Sequence, residues 1–319
     1  MYMKKILVTG ALGFVGYHLS LALLKKGYQV WGLDIVDPIR ADALMSHENF
    51  HLVVESIVNK EVVQSLINRV DMVCHLAAVV DPGQCVTSPH NVINVTLTCA
   101  IDIVEMLRYS GKPVFFTSTS EIYGKNPKVP WKEDDDRVIG STDINRWCYT
   151  TSKSAVEHLI KASHFHRELD YIIVRLFNIY GPRMKGRVVN RFVDSALFGD
   201  DIMVHGDGQQ QRCYTYIDDC IDAFVKLIET PSAYNNTYNV GTTKEHTVLE
   251  LAEVVKEISR SKSAIKFIQH KEVYGKSYED IPRRVADVSR IEEAIQWKAT
   301  TSLEKGLASM IDYQRRNPY

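Results

Sequence analysis

The sequence predicts an α/β protein, a doubly wound parallel sheet followed by a smaller lobe that closes over it. Over residues 1 to about 180, short apolar runs alternate with amphipathic segments, the pattern of parallel strands joined by helical crossovers. Runs such as ILVT, MVCHL, VFFTS and YIIVRLF are predominantly apolar with no polar alternation, as befits strands covered by helices on both faces. Beyond Gly181-Pro182 the pattern turns irregular, with turn-rich pieces at Gly206-Asp207-Gly208, Pro231, Gly241 and Gly275.

Taken in order, Lys5–Thr9 is the first strand, and closely spaced glycines then turn the chain into a helix over 14–27. Strands at Gln29–Asp34 and Phe50–Val54 follow, then a helix at 60–68, a strand at 71–76 and a long helix at 91–110. A strand at 113–118, a helix at 149–168 and a strand at 171–177 complete this half. The second part carries helices near 188–198, 218–229, 247–260 and 302–315.

Thr9-Gly10-Ala11-Leu12-Gly13-Phe14-Val15-Gly16 joins the first strand to its helix. Gly10 makes the tight turn, Gly13 lets a pyrophosphate approach the backbone, and Gly16 permits close helix-to-sheet packing. The next strand ends at Asp34, near the ~20-residue interval at which an acid meets the ribose hydroxyls of an adenosine. A carboxylate there accepts from both hydroxyls and repels a 2′-phosphate, which favours NAD over NADP. The expected organisation is a Rossmann-type dinucleotide domain over 1–180 and a substrate lobe over 181–319, with strands or helices able to pass between them.

Composition narrows the function. Lys plus Arg total 38 against 39 Asp plus Glu, so no global field draws in nucleic acid or an anionic lipid surface. A chain of 319 residues, 45% hydrophobic and 24% charged, excludes collagen-like and wholly disordered readings. Cys74, Cys85, Cys99, Cys148, Cys213 and Cys220 show no CxxC spacing and read as reduced thiols, with no metal site, in a cytoplasmic protein. Glycines interrupt the apolar start long before a signal core or an ~18-residue span is complete, so neither secretion nor membrane insertion is expected.

Tyr149 and Lys153 are four residues apart on a predicted helix and share one face. An ordinary tyrosine, pKa ~10, is about one part in a thousand phenolate at neutral pH, and a fixed ammonium beside it favours the anion. Ser118-Thr119-Ser120-Glu121 ends the preceding strand, and in an open α/β sheet sites form outside the carboxyl ends of the strands.

Six motifs in order, TGALGFVG, HLAA (75–78), STSEIYG (118–124), YTTSK (149–153), RLFNIYGPR (175–183) and GDGQQQRCYTYIDD (206–219), carry a resemblance across nearly the whole chain. The sequence resembles the extended short-chain dehydrogenase/reductases of the NAD-dependent nucleotide-sugar epimerase, dehydratase and decarboxylase family. The resemblance implies that Gly10, Gly13, Phe14, Val15, Gly16, Asp34, Ile57 and Ala77 hold NAD together with Tyr149 and Lys153. Tyr149 then takes the proton from a sugar hydroxyl, usually at C4, while Lys153 binds the nicotinamide ribose and lowers the tyrosine pKa. Thr119 or Ser120 bonds the same hydroxyl. Asn178 positions the diphosphate-linked sugar, Arg187 and Arg212 hold phosphates, and His205 either stacks on the base or caps a turn.

Glu121 separates the branches. Family dehydratases show an Asp-Glu pair, whereas Ser120 precedes Glu121 here, and many 4-epimerases have a small or apolar residue in place of Glu121. Thr119-Ser120-Glu121 is similar to the UDP-glucuronate decarboxylases, as are Arg146-Trp147 and Gly186-Arg187-Val188-Val189. Tyr274-Gly275-Lys276-Ser277-Tyr278-Glu279-Asp280 with Arg283-Arg284 resembles the lipid A-modifying member of that branch. This implies that Tyr278 touches substrate, that Arg284 acts as acid or carboxylate partner with the register free to slip to Arg283, and that Arg146 holds the C6 carboxylate. The reaction expected is decarboxylation of UDP-glucuronate to UDP-xylose or a UDP-4-keto-pentose. The alternatives are UDP-sugar 4-epimerisation, 4,6-dehydration, or a catalytically silent NAD sensor. Two departures from the pattern are Ser56 in place of the adenine-side acid and Met203 in place of a substrate-contacting lysine. Apolar stripes Val92, Val95, Cys99, Ile103 and Val156, Leu159, Ile160 suggest a homodimer through a four-helix bundle, as family members commonly form.

Overall fold

The computed structural model of the chain describes residues 4–36, 41–269, 272–273 and 277–317. Tyr274, Gly275 and Lys276, read above as part of the tail motif, lie outside the described residues. Seven strands form the central sheet, β1 (Lys5–Thr9), β2 (Gln29–Asp34), β3 (Phe50–Val54), β4 (Met72–His75), β5 (Val114–Thr119), β6 (Tyr171–Leu176) and β11 (Asn236–Val240). All pair in parallel, in the order β3-β2-β1-β4-β5-β6-β11. The seventh strand therefore comes from beyond residue 180. Short strands β7 (Ile179–Tyr180), β8 (Ile202–His205), β9 (Gln211–Arg212), β10 (Thr215–Tyr216), β12 (His246–Thr247), β13 (Ile265–Ile268) and β14 (Arg283–Arg284) build three small sheets above it.

Strand pleating explains the double winding, because successive side chains face opposite sides. Ile6, Val8, Phe115 and Ile172 pack on one face with α1 (Phe14–Lys25) and α9 (Ile217–Glu229). Leu7, Phe116 and Ile173 pack on the other with α3 (Lys60–Arg69), α6 (Cys99–Arg108) and α7 (Trp147–Phe165). Among the described residues the further α-helices include α2 (Asp42–Met45), α4 (Pro82–Thr87), α5 (Pro89–Ile93), α8 (Val188–Phe198), α10 (Val248–Ser259), α11 (Ser289–Ile295) and α12 (Leu303–Arg316). Local chemistry sets their starts: Asp81 accepts from Gly83 N ahead of Pro82, and Thr247 and Glu250 form a reciprocal capping box.

Two expectations change. The helix expected over 91–110 is α5, a single π turn at Asn94–Thr98, and α6. That wide turn sends the Thr96 hydroxyl to accept from Val79 N at 3.3 Å, fixing the loop after β4. Of the two stripes expected to form a dimer surface, Val92, Cys99, Ile103, Val156 and Ile160 are buried within the chain against the sheet and its neighbouring helices, and Val95 and Leu159 are half-buried. Ile93 and Ile101 are the large apolar side chains that α5 and α6 leave exposed.

Candidate active site

Strand order reverses beside β1, between β1 and β4, and the crevice at the carboxyl ends of the strands opens there. It is a cleft of about 1780 Å3 lined by every candidate cofactor and substrate residue of the sequence except Arg283, from Gly10 and Asp34 at one end to His205, Arg212 and Tyr278 at the other. At the first end Gly10 has φ +72°, and a Cβ there would sit 3.0 Å from Ala77 N. A Cβ on Gly16 would run into the Gly10 carbonyl, so α1 starts tight against the turn and leaves its amide end facing the cleft. Asp34, buried, accepts from Leu12 N at 2.8 Å and Val36 N at 3.1 Å, one bond to each oxygen, and keeps acceptor capacity on both. Thr9 Oγ1 meets His75 Nδ1 at 2.8 Å and accepts from Ala77 N at 3.2 Å, which ties the tips of β1 and β4 together. Phe14, Val15, Ile57 and Ser56 complete the walls. A backbone cradle that a Cβ would fill, with an acid one strand away, fits the adenosine diphosphate half of a dinucleotide.

The catalytic motifs meet in the middle. Thr119 ends β5, and its hydroxyl accepts from Glu121 N at 3.2 Å and bonds the Tyr149 side chain. Burial and then Glu121 push the Tyr149 phenol above its ordinary pKa; Arg187 and the Thr119 bond act the other way. Lys153 is 2% exposed and directs its ammonium to the Thr117 carbonyl at 2.7 Å. Burial, opposed by Glu157, lowers its pKa to about 7. The Lys153 ammonium is turned toward β5, and Arg187 is the cation that acts on the phenol most strongly. Ser120 lies beside Thr119 in the same wall, fully buried.

Glu121 sits between two guanidiniums, with Arg146 Nη1 at 3.1 Å from one oxygen and Arg284 Nη1 at 3.0 Å from the other. Burial opposes its ionisation, yet Arg146 and Arg284 hold its carboxyl down at about 2. The Tyr278 ring covers Arg146 at 5.4 Å. Arg212 binds both oxygens of Asp280 at 3.0 Å, and Arg187 reaches across the cleft to the Val80 carbonyl at 2.5 Å. Asn178, at φ 40°, and His205, at the end of β8, stand on the far wall. The buried Nε atoms of Arg146 and Arg284 and the amide nitrogen of Asn178 have no hydrogen-bond partner. Around Glu121 and Asp280 the cleft thus gathers the guanidiniums of Arg146, Arg187, Arg212 and Arg284, groups whose planar forks suit an anionic ligand.

The register left open at 283 and 284 is resolved by β14, which pairs in parallel with β9 and sets Arg284 opposite Arg212. Pleating then turns Arg284 into the cleft while Arg283 goes outward to Glu245, at 2.7 Å through two nitrogens. Asp280 also belongs to the site, where its bidentate pair with Arg212 shapes that end of the cleft. Its partner is 68 residues away, and only the tail motif hinted at it.

A tyrosine and a lysine on one helix, set against the hydroxyl-bearing tip of a neighbouring strand at the switch point of a dinucleotide sheet, define an extended short-chain dehydrogenase/reductase. The chain belongs to the family described as GDP-mannose 4,6 dehydratase, which matches it over residues 7–310. It is 34% identical to the UDP-N-acetyl-alpha-D-glucosaminuronate decarboxylase of Bacillus cytotoxicus, over 98% of each chain. It is 31% identical to UDP-glucuronic acid decarboxylase 1 of Danio rerio, over 98% of this chain and 73% of that one. Among solved structures it is similar to the UDP-glucuronic acid 4-epimerase of Bacillus cereus in complex with UDP-glucuronic acid and NAD, with a TM-score of 0.88, 28% identity, and 98% and 99% of the two chains covered.

Proposed function

We propose that the protein is an NAD-dependent decarboxylase of a UDP-linked hexuronate, UDP-glucuronate in the first place. The observation that carries the reading is Glu121, ionised and clamped by Arg146 and Arg284 beside Tyr149 and Thr119. When bound, NAD supplies the hydride acceptor. Tyr149, bonded to Thr119, takes the proton of the C4 hydroxyl, and Lys153 holds a cationic charge one helical turn away. With C4 a ketone, the C5 carboxylate is β to a carbonyl; the C5–C6 bond breaks, carbon dioxide leaves, and the electron pair enters the enolate. Arg284, whose pKa burial lowers, returns a proton to C5, while Arg146 orients the carboxylate before it leaves. Arg187, Arg212 and Asn178 hold the diphosphate, Tyr278 and His205 flank sugar and base, and Ser120 backs the C4 hydroxyl. Dehydration is disfavoured because Glu121 stays ionised and no acid stands at Ser120.

Incubation of the purified protein with UDP-glucuronate, followed by mass spectrometry of the sugar nucleotide, tests this: loss of carbon dioxide supports it. An unchanged mass with inverted C4 would make the protein an epimerase, the reading that the epimerase structures favour. UDP-N-acetylglucosaminuronate belongs in the same assay, because the Bacillus cytotoxicus relative is named for it. In Glu121→Gln decarboxylation should fall by orders of magnitude, whereas an epimerase that does not use this carboxylate would barely change.

Among the described residues no helix is long and apolar enough to cross a membrane. We place the protein in the cytoplasm as a homodimer that docks through α5, α6 and α7; the exposed Ile93 and Ile101 support this surface. Light scattering at micromolar protein should give twice the chain mass, falling toward one chain in the Ile93→Asp, Ile101→Asp double variant.

A further inference from the structure

We propose that Glu157 is a positioning residue that sets the charge of Lys153 along one face of α7, and that Arg175 holds it for that task. The proposal rests on the reading of Tyr149 and Lys153 given above and deepens it. Lys153 gives its ammonium a carbonyl, Thr117 O at 2.7 Å, and a ring face, Phe116 at 4.5 Å. The groups acting on it are Glu157 one turn further along α7, Phe116 and Thr117 from β5, and His75 from β4, with Arg175 of β6 paired to Glu157. His75 is neutral, since burial and then Lys153 lower it to about 3. A carbonyl and a ring do not replace the hydration of a buried ammonium, so an anion must.

Glu157 is four residues beyond Lys153, on the same helix face, and equally buried. It has no freedom to turn away. Its oxygens accept from Arg175 Nε at 3.1 Å and Nη2 at 2.7 Å, while Arg175 Nη1 donates to the Tyr123 hydroxyl at 2.9 Å and the Glu133 carbonyl at 2.7 Å. Every nitrogen of the guanidinium is engaged, so the carboxylate is fixed one turn from the lysine. A buried ion pair of this kind adds little net stability over an apolar pair of the same volume. Its physical consequence is an anion held at constant distance from Lys153, which keeps the ammonium charged at a pH where burial alone would discharge it.

The test follows the lysine directly. In the full chain labelled with 13C-lysine, the Cε resonance of Lys153, identified by its loss in Lys153→Met, reports the titration midpoint without any substrate or cofactor. In Glu157→Gln, which still offers Arg175 a hydrogen-bonding group, the midpoint should fall by about one unit or more. The alkaline limb of kcat/KM against pH should move down with it, with activity below the midpoint close to that of the native chain. Glu157→Asp, which retracts the charge by one methylene, should give an intermediate midpoint, and it carries the test if the amide variant does not fold. An unchanged midpoint in the folded variant overturns the proposal, as does a uniform loss of activity at every pH with no shift of the limb. Because the midpoint is read without turnover, this proposal and the assignment of the substrate fail separately.

Discussion

Tyr149 works against its surroundings: burial and the carboxylate of Glu121 both hold its proton on, and among its neighbours Arg187 and the Thr119 hydroxyl favour the phenolate. A phenolate formed in such a site is a strong base, suited to take the proton of a hydroxyl as that hydroxyl is oxidised. Tyr149→Phe removes the proton acceptor while keeping the ring that packs beside Val92 and Cys85. It should lower kcat by about 10^2 to 10^4 with the melting temperature little changed. Turnover at the native rate in that variant would remove the phenol from the mechanism. Thr119→Val should lower activity less, because the phenol loses a hydrogen-bond partner and not the proton site itself.

At the scale of elements, β14 shows what a two-residue strand decides. Arg283 and Arg284 are adjacent and chemically identical, and pairing with β9 sends one to solvent and the other into the cleft beside Glu121. Arg283→Ala breaks an exposed pair with Glu245 and should cost about 0–1 kcal/mol of stability with activity retained. Arg284→Ala leaves Glu121 with one guanidinium in a buried site, so activity should be abolished and stability should drop by about 3 kcal/mol. Equal loss of activity in both would mean that the register is wrong. The sequence could not choose between them, because the choice is made by a strand more than 70 residues earlier. The strands of continuous apolar residues were legible, as were the helices between them, since both depend on local periodicity. β11 was not: Asn236, Asn239 and Thr237 make a polar run, and Asn239 is buried only because Trp131, Asp287 and the Tyr123 hydroxyl satisfy its side chain. The motif residues were legible as a set because each marks the end of an element that reaches the same crevice. Asp280, Glu157 and Arg175 were not, because their importance lies in partners that local spacing does not show.

For the whole molecule, a site that buries Lys153 should lower the stability of the fold. Its folded pKa, lowered to about 7 from the ordinary 10.5, means that the unfolded chain binds a proton more readily between those values. Stability should therefore rise with pH across that window; below it the charged lysine carries its full penalty, and above it the penalty disappears. Lys153→Met removes the penalty, and the Thr117 carbonyl loses its donor, which offsets part of the gain. The net expectation is a stabilisation of about 1–3 kcal/mol at pH 6, shrinking toward zero by about pH 10, together with loss of activity. Denaturant titrations of both proteins at several pH values measure the difference. A variant less stable than the native chain at pH 6, or a gain independent of pH, would show that Lys153 is not held in the fold at electrostatic cost.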